Sequence, residues 1–110
     1  MPVAGTPCDF RVARPIGARR LDLNLVLDAG DGPAAEVTAG GLRLRLWTDQ
    51  PGLQLYTGDG LGAPFAPRHG LCLEPQGFPN AVNMPAFPSV VCTPERPYRQ
   101  TTTVEIAAAA

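Results

Sequence analysis

Three polar side chains, each set in an alternating strand-like run, are the residues of this sequence whose types and spacing could carry chemistry. They are Asp22, Gln54 and Glu74, and each alternates with leucines that would point to the other side of its strand. If the three strands lie in one sheet with these faces aligned, the polar groups converge on one surface, where carboxylates and an amide could transfer a proton or bind polar ligand groups. Period two predicts the facing of each residue but leaves strand pairing open, so ordinary solvent-facing polar residues remain the alternative.

Glu74 closes a short apolar alternation over residues 71–74. The next residues are Pro75, Gln76 and Gly77, and this combination is not expected inside a regular strand. The sequence therefore predicts that a strand ends at Glu74 and that a loop begins there. Functional side chains are common on loops that a rigid scaffold positions.

The same period of two predicts an all-β fold for the rest of the chain. Thirteen prolines and twelve glycines divide the 110 residues into short pieces, and apolar and polar residues alternate between these breaks. Strands are predicted over residues 21–27, 35–38, 42–48, 53–58, 71–74, 90–92 and 101–106. Residues 107–110 are expected to be a frayed tail. The long connections 59–68 and 75–88 are expected to carry function or to wrap the core.

Length and composition argue against several classes of function. A chain of 110 residues forms at most one domain, and no linker divides it. Apolar residues make up 45% of the chain, charged residues 17%, and the net charge is −1, which disfavours gross disorder and a polyanionic partner such as nucleic acid. The sequence has no run of 18 apolar residues and no leader pattern at residues 1–5, so we predict neither membrane spanning nor secretion.

The three cysteines favour a reducing compartment. Cys8, Cys72 and Cys92 form no close-spaced metal pattern, and any disulfide scheme leaves one thiol unpaired. We therefore expect a cytoplasmic protein in which Cys72 and Cys92 are buried as small apolar side chains.

Several ordered segments resemble one known family. The run LCLEPQGFPNAVNMPAFPS at residues 71–89 is similar to the C-terminal signature of the aldose 1-epimerases, also called galactose mutarotases. Further similar segments, in the family's order, are TPCDFR at 6–11, LDLN at 21–24, WTDQPGLQLYTG at 47–58 and PYRQTT at 97–102. The block at 47–58 is the most specific of these.

The resemblance implies a fold, a reaction and roles for the three polar residues. The family fold is a large antiparallel β-sandwich, the galactose mutarotase-like supersandwich, and residues 1–110 would form a single segment equal to about its last third. The family interconverts the α and β anomers of free aldoses such as glucose and galactose by acid/base ring opening. By resemblance Glu74 is the catalytic base, Asp22 and Gln54 bind sugar hydroxyl groups, and neither a metal nor another cofactor is required.

The resemblance also leaves the source of the general acid open. In the family the acid is a histidine upstream of the matched segments, whereas His69 lies outside the histidine motifs and is expected to be a loop residue. Tyr56, Phe78 and Phe87 could stack on a sugar ring, although packing is the favoured role. We therefore expect weak or no turnover by the chain alone. The alternatives are a truncated gene, one half of a split enzyme with a separate N-terminal polypeptide, and a non-catalytic sugar-binding module that forms homo-oligomers.

Overall fold

The computed structural model describes residues 1–109, and its regular secondary structure is almost entirely β-strand. Its strands are β1 (Asp22–Val26), β2 (Ala35–Ala39), β3 (Leu42–Thr48), β4 (Gly52–Tyr56), β5 (Cys72–Gln76) and β6 (Thr102–Ala108). A single turn of 3-10 helix at Ala81–Asn83 is the only helical element in this part of the chain. The predicted all-β antiparallel class is confirmed, and the predicted strand 42–48 coincides with β3.

The six strands form two three-stranded antiparallel sheets, in the orders β1-β4-β5 and β2-β3-β6. The strands β2 and β3 form a hairpin, and Gly40 and Gly41 make its two-residue turn. Both glycines have positive φ, 56° and 77°, as a tight turn matched to the strand twist requires.

The two sheets are joined through the chain segments that connect their strands. Strand β1 pairs with β4, and β2 pairs with β3, so the segment β1–β2 runs antiparallel to the segment β3–β4. Between the two sheets the Leu27 amide donates to the Pro51 carbonyl at 3.0 Å, and the Ala34 amide donates to the Leu46 carbonyl at 2.7 Å. Strand β5 pairs with β4 and β6 pairs with β3, with residues 77–101 between β5 and β6 in the sequence.

Apolar side chains collect on one face of each sheet. In the first sheet Leu23, Leu55 and Leu73 lie in register across the three strands. Leu53 and Leu55, on the central strand, are only 2% and 6% exposed. Burial of these leucines is the main local source of stability for the first sheet, because apolar area removed from water is the dominant favourable contribution to folding.

Pro75 does not end the strand that contains Glu74, so that prediction is wrong. Strand β5 continues through Pro75, which lies opposite Leu53, to Gln76, which lies opposite Gly52. The proline is tolerated because β5 is an edge strand of the sheet, where a missing amide donor need not interrupt the pairing with β4.

Two further predictions about strands are also wrong. Residues 90–92 are β-branched or apolar but have no strand partner and form no strand. Ala107 and Ala108, predicted to be part of a frayed tail, belong to β6 because they pair with Arg43 and Leu42. Ala110 lies outside the described residues.

The expected burial of the two cysteines is wrong as well. Cys72 and Cys92 are both exposed, and all three cysteines are free thiols. Cys72 lies on the opposite side of β5 from Leu73, so the alternation that buries the leucine exposes the thiol. Within residues 1–109, no helix has the length and apolar character needed to cross a membrane.

Candidate functional site

The side of the β1-β4-β5 sheet opposite the leucines is a mostly polar surface, which we call the polar face. Its residues lie in three rows across the strands: Asp22, Tyr56 and Cys72; Asn24, Gln54 and Glu74; Val26, Gly52 and Gln76. Side chains in one row are neighbours, since residues directly opposite in antiparallel strands have Cβ atoms about 5 Å apart. The polar face therefore groups carboxylates and amides from three separate parts of the sequence.

All three residues selected from the sequence lie on the polar face. Gln54 is on the central strand and pairs directly with Glu74. The Gln54 Nε2 atom also donates a hydrogen bond to Asp22 Oδ1 at 2.9 Å. Asp22 is thus in direct contact with Gln54, and Glu74 is the cross-strand neighbour of Gln54 on the other side.

Sequence reasoning missed two amide residues that complete this arrangement. Gln76 Nε2 donates to Gln54 Oε1 at 2.9 Å and to Asn24 Oδ1 at 3.1 Å. Asn24 is in phase with Asp22 on β1, and Gln76 is in phase with Glu74 on β5, so the alternation contained a signal for both. Gln76 was missed because the strand was predicted to end at Glu74.

Gly52 makes room for the Asn24 side chain. A Cβ atom at position 52 would overlap Asn24 Oδ1, whereas glycine leaves the space above β4 free. Asn24 can therefore extend across the central strand toward Gln76 on the far strand. A glycine within a strand often marks such a close approach.

Thr57, which follows β4 directly and is 3% exposed, joins the end of β4 to the start of β1. Its hydroxyl oxygen accepts from the Leu21 amide at 2.9 Å, and its O–H group donates to the Asp59 carboxylate. Arg68 Nη1 donates to the same carboxylate at 3.1 Å and to the Arg19 carbonyl at 2.8 Å. The hydrogen bond from Thr57, reinforced by Arg68, holds the pKa of the Asp59 carboxyl below its usual value.

The first long connection is fastened to this sheet, and the second contains an aromatic pair of its own. In the first, the Gly60 amide donates to Tyr56 Oη at 2.7 Å, which ties the loop to the polar face. In the second, Phe78 and Phe87 pack edge to face with ring centroids 5.3 Å apart. These contacts are the packing roles that the sequence favoured for the three aromatic residues.

The carboxylate of Glu74 is available to a ligand. Glu74 is exposed, and within residues 1–109 its side chain takes part in no hydrogen bond or ion pair of the structure. His69 is an exposed turn residue whose Nδ1 atom accepts from the Ala66 amide at 3.2 Å, and it is not on the polar face. The described residues contain no group of three or more His, Cys, Asp and Glu side chains that could hold a metal ion. The polar face can accept protons and bind hydroxyl groups.

Two concavities formed by residues 1–109 lie outside the polar face, one beside residues 9–14 and the other between residues 50–51 and the loop residues 88–99. Neither is lined by Asp22, Gln54 or Glu74.

Comparison with known proteins identifies one family. The sequence model of the aldose 1-epimerase family matches residues 1–105. Galactose mutarotase of Sus scrofa is 45% identical over 67 residues, which cover 54% of this chain and 20% of the pig protein. The human galactose mutarotase is 43% identical over 72 residues, covering 58% and 21% of the two chains. Aldose 1-epimerase of Escherichia coli K12 is 35% identical over 113 aligned positions, covering 82% and 33%. The chain thus spans about a fifth to a third of the length of these relatives.

Proposed function

The chain belongs to the aldose 1-epimerase family, and on this premise we propose that its polar face binds a free aldose and takes part in interconverting the α and β anomers. The observation that carries this proposal is the contact of Gln54 with Asp22 together with its direct pairing with Glu74. A hexose presents several hydroxyl groups around one ring, and a surface of adjacent carboxylates and amides supplies donors and acceptors for them.

In the proposed reaction Glu74 is the base. It removes the proton of the hydroxyl on C1, the C1 oxygen becomes a carbonyl, the bond between C1 and the ring oxygen breaks, and an acid gives a proton to that ring oxygen. The open-chain aldehyde rotates about C1–C2, and the reverse steps close the ring on the other face of the carbonyl. Atoms and charge balance, and no electron carrier enters the reaction.

Asp22 and Gln54 hold the sugar in this proposal. Asp22 can accept a hydrogen bond from a sugar hydroxyl, and Gln54 can both donate and accept. Because Gln54 is the cross-strand neighbour of Glu74, a hydroxyl bound to the amide lies close to the proposed base.

The chain alone should be a slow catalyst. The polar face, as far as the described residues form it, contains no histidine, and His69 lies in a separate turn. Loss of general acid assistance lowers a rate by about 10²- to 10⁴-fold. A second polypeptide that supplies the acid would restore turnover, as in a split enzyme. If none does, the same face would act as a non-catalytic sugar-binding module.

The test is polarimetry of freshly dissolved α-glucose and α-galactose with the purified chain and with Glu74→Gln. The glutamine keeps the shape of the side chain but is not a base, so we expect the rate to fall to the buffer blank while sugar binding measured by calorimetry persists. Glu95→Gln is the matched control, because Glu95 is exposed in the turn at residues 93–96 and is not one of the residues of the polar face. A rate that is above the buffer blank and equal in Glu74→Gln and in the unmutated chain would show that Glu74 is not the base.

A second arm separates the split enzyme from the binding module. The chain is mixed with an N-terminal polypeptide of the family that carries the upstream histidines, and mutarotation is followed as before. A rate above the sum of the two separate rates supports the split enzyme. Saturable sugar binding with no added turnover supports the binding module.

A further inference from the structure

The amide group of Gln54 has two ends with similar shapes and opposite hydrogen-bonding character. Packing alone does not select between its two orientations, which differ by exchange of the oxygen and the nitrogen. Its neighbours must therefore determine which end faces which partner.

The hydrogen bonds around Gln54 have one consistent direction. Asp22 offers only acceptors when ionised, so the Nε2 end of Gln54 must face it, and the two atoms are 2.9 Å apart. The Oε1 end then faces β5, where Gln76 Nε2 donates to it at 2.9 Å. The second N–H of Gln76 goes to Asn24 Oδ1 at 3.1 Å, so Gln76 in turn is held as a donor.

This chain of bonds leaves Gln54 with unused capacity. One of its two N–H groups and one lone pair of its oxygen remain free for a ligand. An exchange of the two ends would swap the position of that donor and that acceptor, next to Glu74. The arrangement of hydrogen-bond donor and acceptor that Gln54 presents to a sugar hydroxyl thus depends on Gln76, a residue that takes no direct part in the proposed reaction.

We propose that Gln76 is a positioning residue, which acts together with Asp22 to hold the Gln54 amide in one orientation and thereby sets the hydrogen-bond pattern that the polar face offers to an aldose. For its ligand, this inference rests on the proposed function. Asn24 and Gly52 belong to the same arrangement, because the missing Cβ at position 52 lets Asn24 keep Gln76 turned as a donor.

The test variant is Gln76→Glu, which keeps the size of the side chain and replaces its donor with a second acceptor. The Gln54 Nε2 group can then donate either to Asp22 or to the new carboxylate at position 76, so the orientation of the Gln54 amide is no longer unique. The matched control is Asn80→Asp, which adds the same charge in the loop. It also retains the oxygen that accepts from Asn83 Nδ2 at 2.7 Å. Dispersion of the backbone amide signals establishes that each variant folds.

Nuclear magnetic resonance of the isotopically labelled chain measures the orientation directly. In the unmutated chain and in Asn80→Asp, the Gln54 side-chain amide protons should show nuclear Overhauser contacts to the Asp22 Hβ protons. In Gln76→Glu, new contacts to the side chain of residue 76 should appear. An unchanged contact pattern in Gln76→Glu would overturn the inference.

The affinity for sugar distinguishes a positioning role of Gln76 from a purely structural one. The dissociation constant for galactose should rise about tenfold in Gln76→Glu, the factor expected for one lost hydrogen bond. In a series of galactose analogues that each lack one hydroxyl group, Gln76→Glu should leave the affinity unchanged for the analogue that lacks the hydroxyl bound by Gln54. Equal weakening for every sugar, or no weakening, would overturn the inference.

Failure of the proposed function gives a different result. In that case the unmutated chain shows no saturable binding of any aldose, whatever the state of Gln76. The contacts of the Gln54 amide protons then decide the inference alone, and their response to Gln76→Glu either supports the positioning role or contradicts it.

Discussion

The Asp59 carboxylate links the end of β4 to the loop that follows it. It accepts hydrogen bonds from the Thr57 hydroxyl and from Arg68 Nη1, and it lies 3.7 Å from Arg20 Nε. Thr57 in turn binds the Leu21 amide at the start of β1. An ionised Asp59 therefore favours the native position of three segments that meet beside Tyr56.

These contacts predict a loss of stability in acid. Because the pKa of Asp59 is lowered in the folded chain from the ordinary value of 3.8, the stabilisation is fully present above that value. This stabilisation is lost as the pH falls through the pKa of Asp59 in the folded chain, because the folded chain then binds the proton that the unfolded chain already holds. We expect Asp59→Asn to be less stable than the unmutated chain at neutral pH, and the difference to shrink steadily below about pH 4.

Urea unfolding at a series of pH values, followed by the fluorescence of the single tryptophan, Trp47, measures this difference. Asp31→Asn is the control, since it makes the same charge change in the exposed connection between β1 and β2. A constant gap between Asp59→Asn and the unmutated chain from pH 7 to pH 3 would contradict the argument.

At the scale of elements, Gly58 is the point at which β4 gives way to the loop that returns to β5. Its φ is +70°, and a Cβ atom there would lie 2.5 Å from the Gly70 carbonyl oxygen. Gly58 also accepts from the Arg68 amide at 2.8 Å, so backbone segments approach closely on two sides. Only glycine satisfies both the left-handed backbone and the close approach.

The two requirements at Gly58 can be separated by comparison with Gly40. Gly40 has a similar φ, +56°, in the β2–β3 turn, but a Cβ there would meet nothing within 4 Å. Gly40→Ala should therefore cost only the left-handed backbone penalty, about 1–2 kcal/mol. Gly58→Ala should cost a further ~1–3 kcal/mol because the backbone must shift to accept the methyl group. Urea midpoints of the two variants compare these costs, and equal midpoints would mean that the loop relaxes freely around Gly58.

Elements were predictable where apolar and polar residues alternate regularly. The alternation placed β3 correctly and separated the leucine faces from the polar faces, because facing follows directly from period two. Alternation failed where partners that are distant in the sequence determine where a strand ends. Pro75 stays in β5 because that strand is at the edge of its sheet. Ala107 stays in β6 because Arg43 pairs with it. Residues 90–92 have strand-forming side chains but no partner.

The candidate site was predictable to the same extent. Alternation placed Asp22, Gln54 and Glu74 on consistent faces. Only the pairing of the strands determined that Gln54 contacts Asp22 and is the cross-strand neighbour of Glu74. Gln76 could not be recognised while its strand was predicted to end two residues earlier. The roles proposed for these residues come from family resemblance, since alternation does not indicate which polar side chain reacts.

At the scale of the whole molecule, the β2-β3-β6 sheet has two unlike sides. One side carries an ion-pair cluster, in which Arg45 Nε lies 2.6 Å from Glu36 Oε2 and Arg45 and Arg43 each lie 3.9 Å from Glu105 Oε1. The Arg45 guanidinium holds the pKa of Glu36 below its usual value. These groups are partly exposed to solvent, so they add little stability.

The other side of this sheet is aliphatic and incompletely covered. Its residues, which we call the aliphatic face, are Ala35, Val37, Ala39, Leu42, Leu44, Leu46, Val104, Ile106 and Ala108. Leu46 at its edge is buried, but Leu42, Val104 and Ile106 are 55%, 52% and 65% exposed. A contiguous apolar surface of this kind differs from the scattered exposed apolar residues that most proteins carry.

The exposed aliphatic face predicts that the chain binds a hydrophobic fluorescent dye in its folded state. The double substitution Val104→Thr and Ile106→Thr should reduce the dye fluorescence several-fold, because it breaks the apolar surface along β6. Threonine retains a β-branched side chain suited to a strand, so we expect the thermal midpoint to change little. The control is Val12→Thr with Val82→Thr, since these valines are 80% and 72% exposed but lie outside the sheets, and this pair should leave dye binding unchanged. Dye fluorescence that is equally low in the unmutated chain and in the β6 variant would mean that the aliphatic face is covered in solution, and sedimentation analysis would then show whether a second copy covers it.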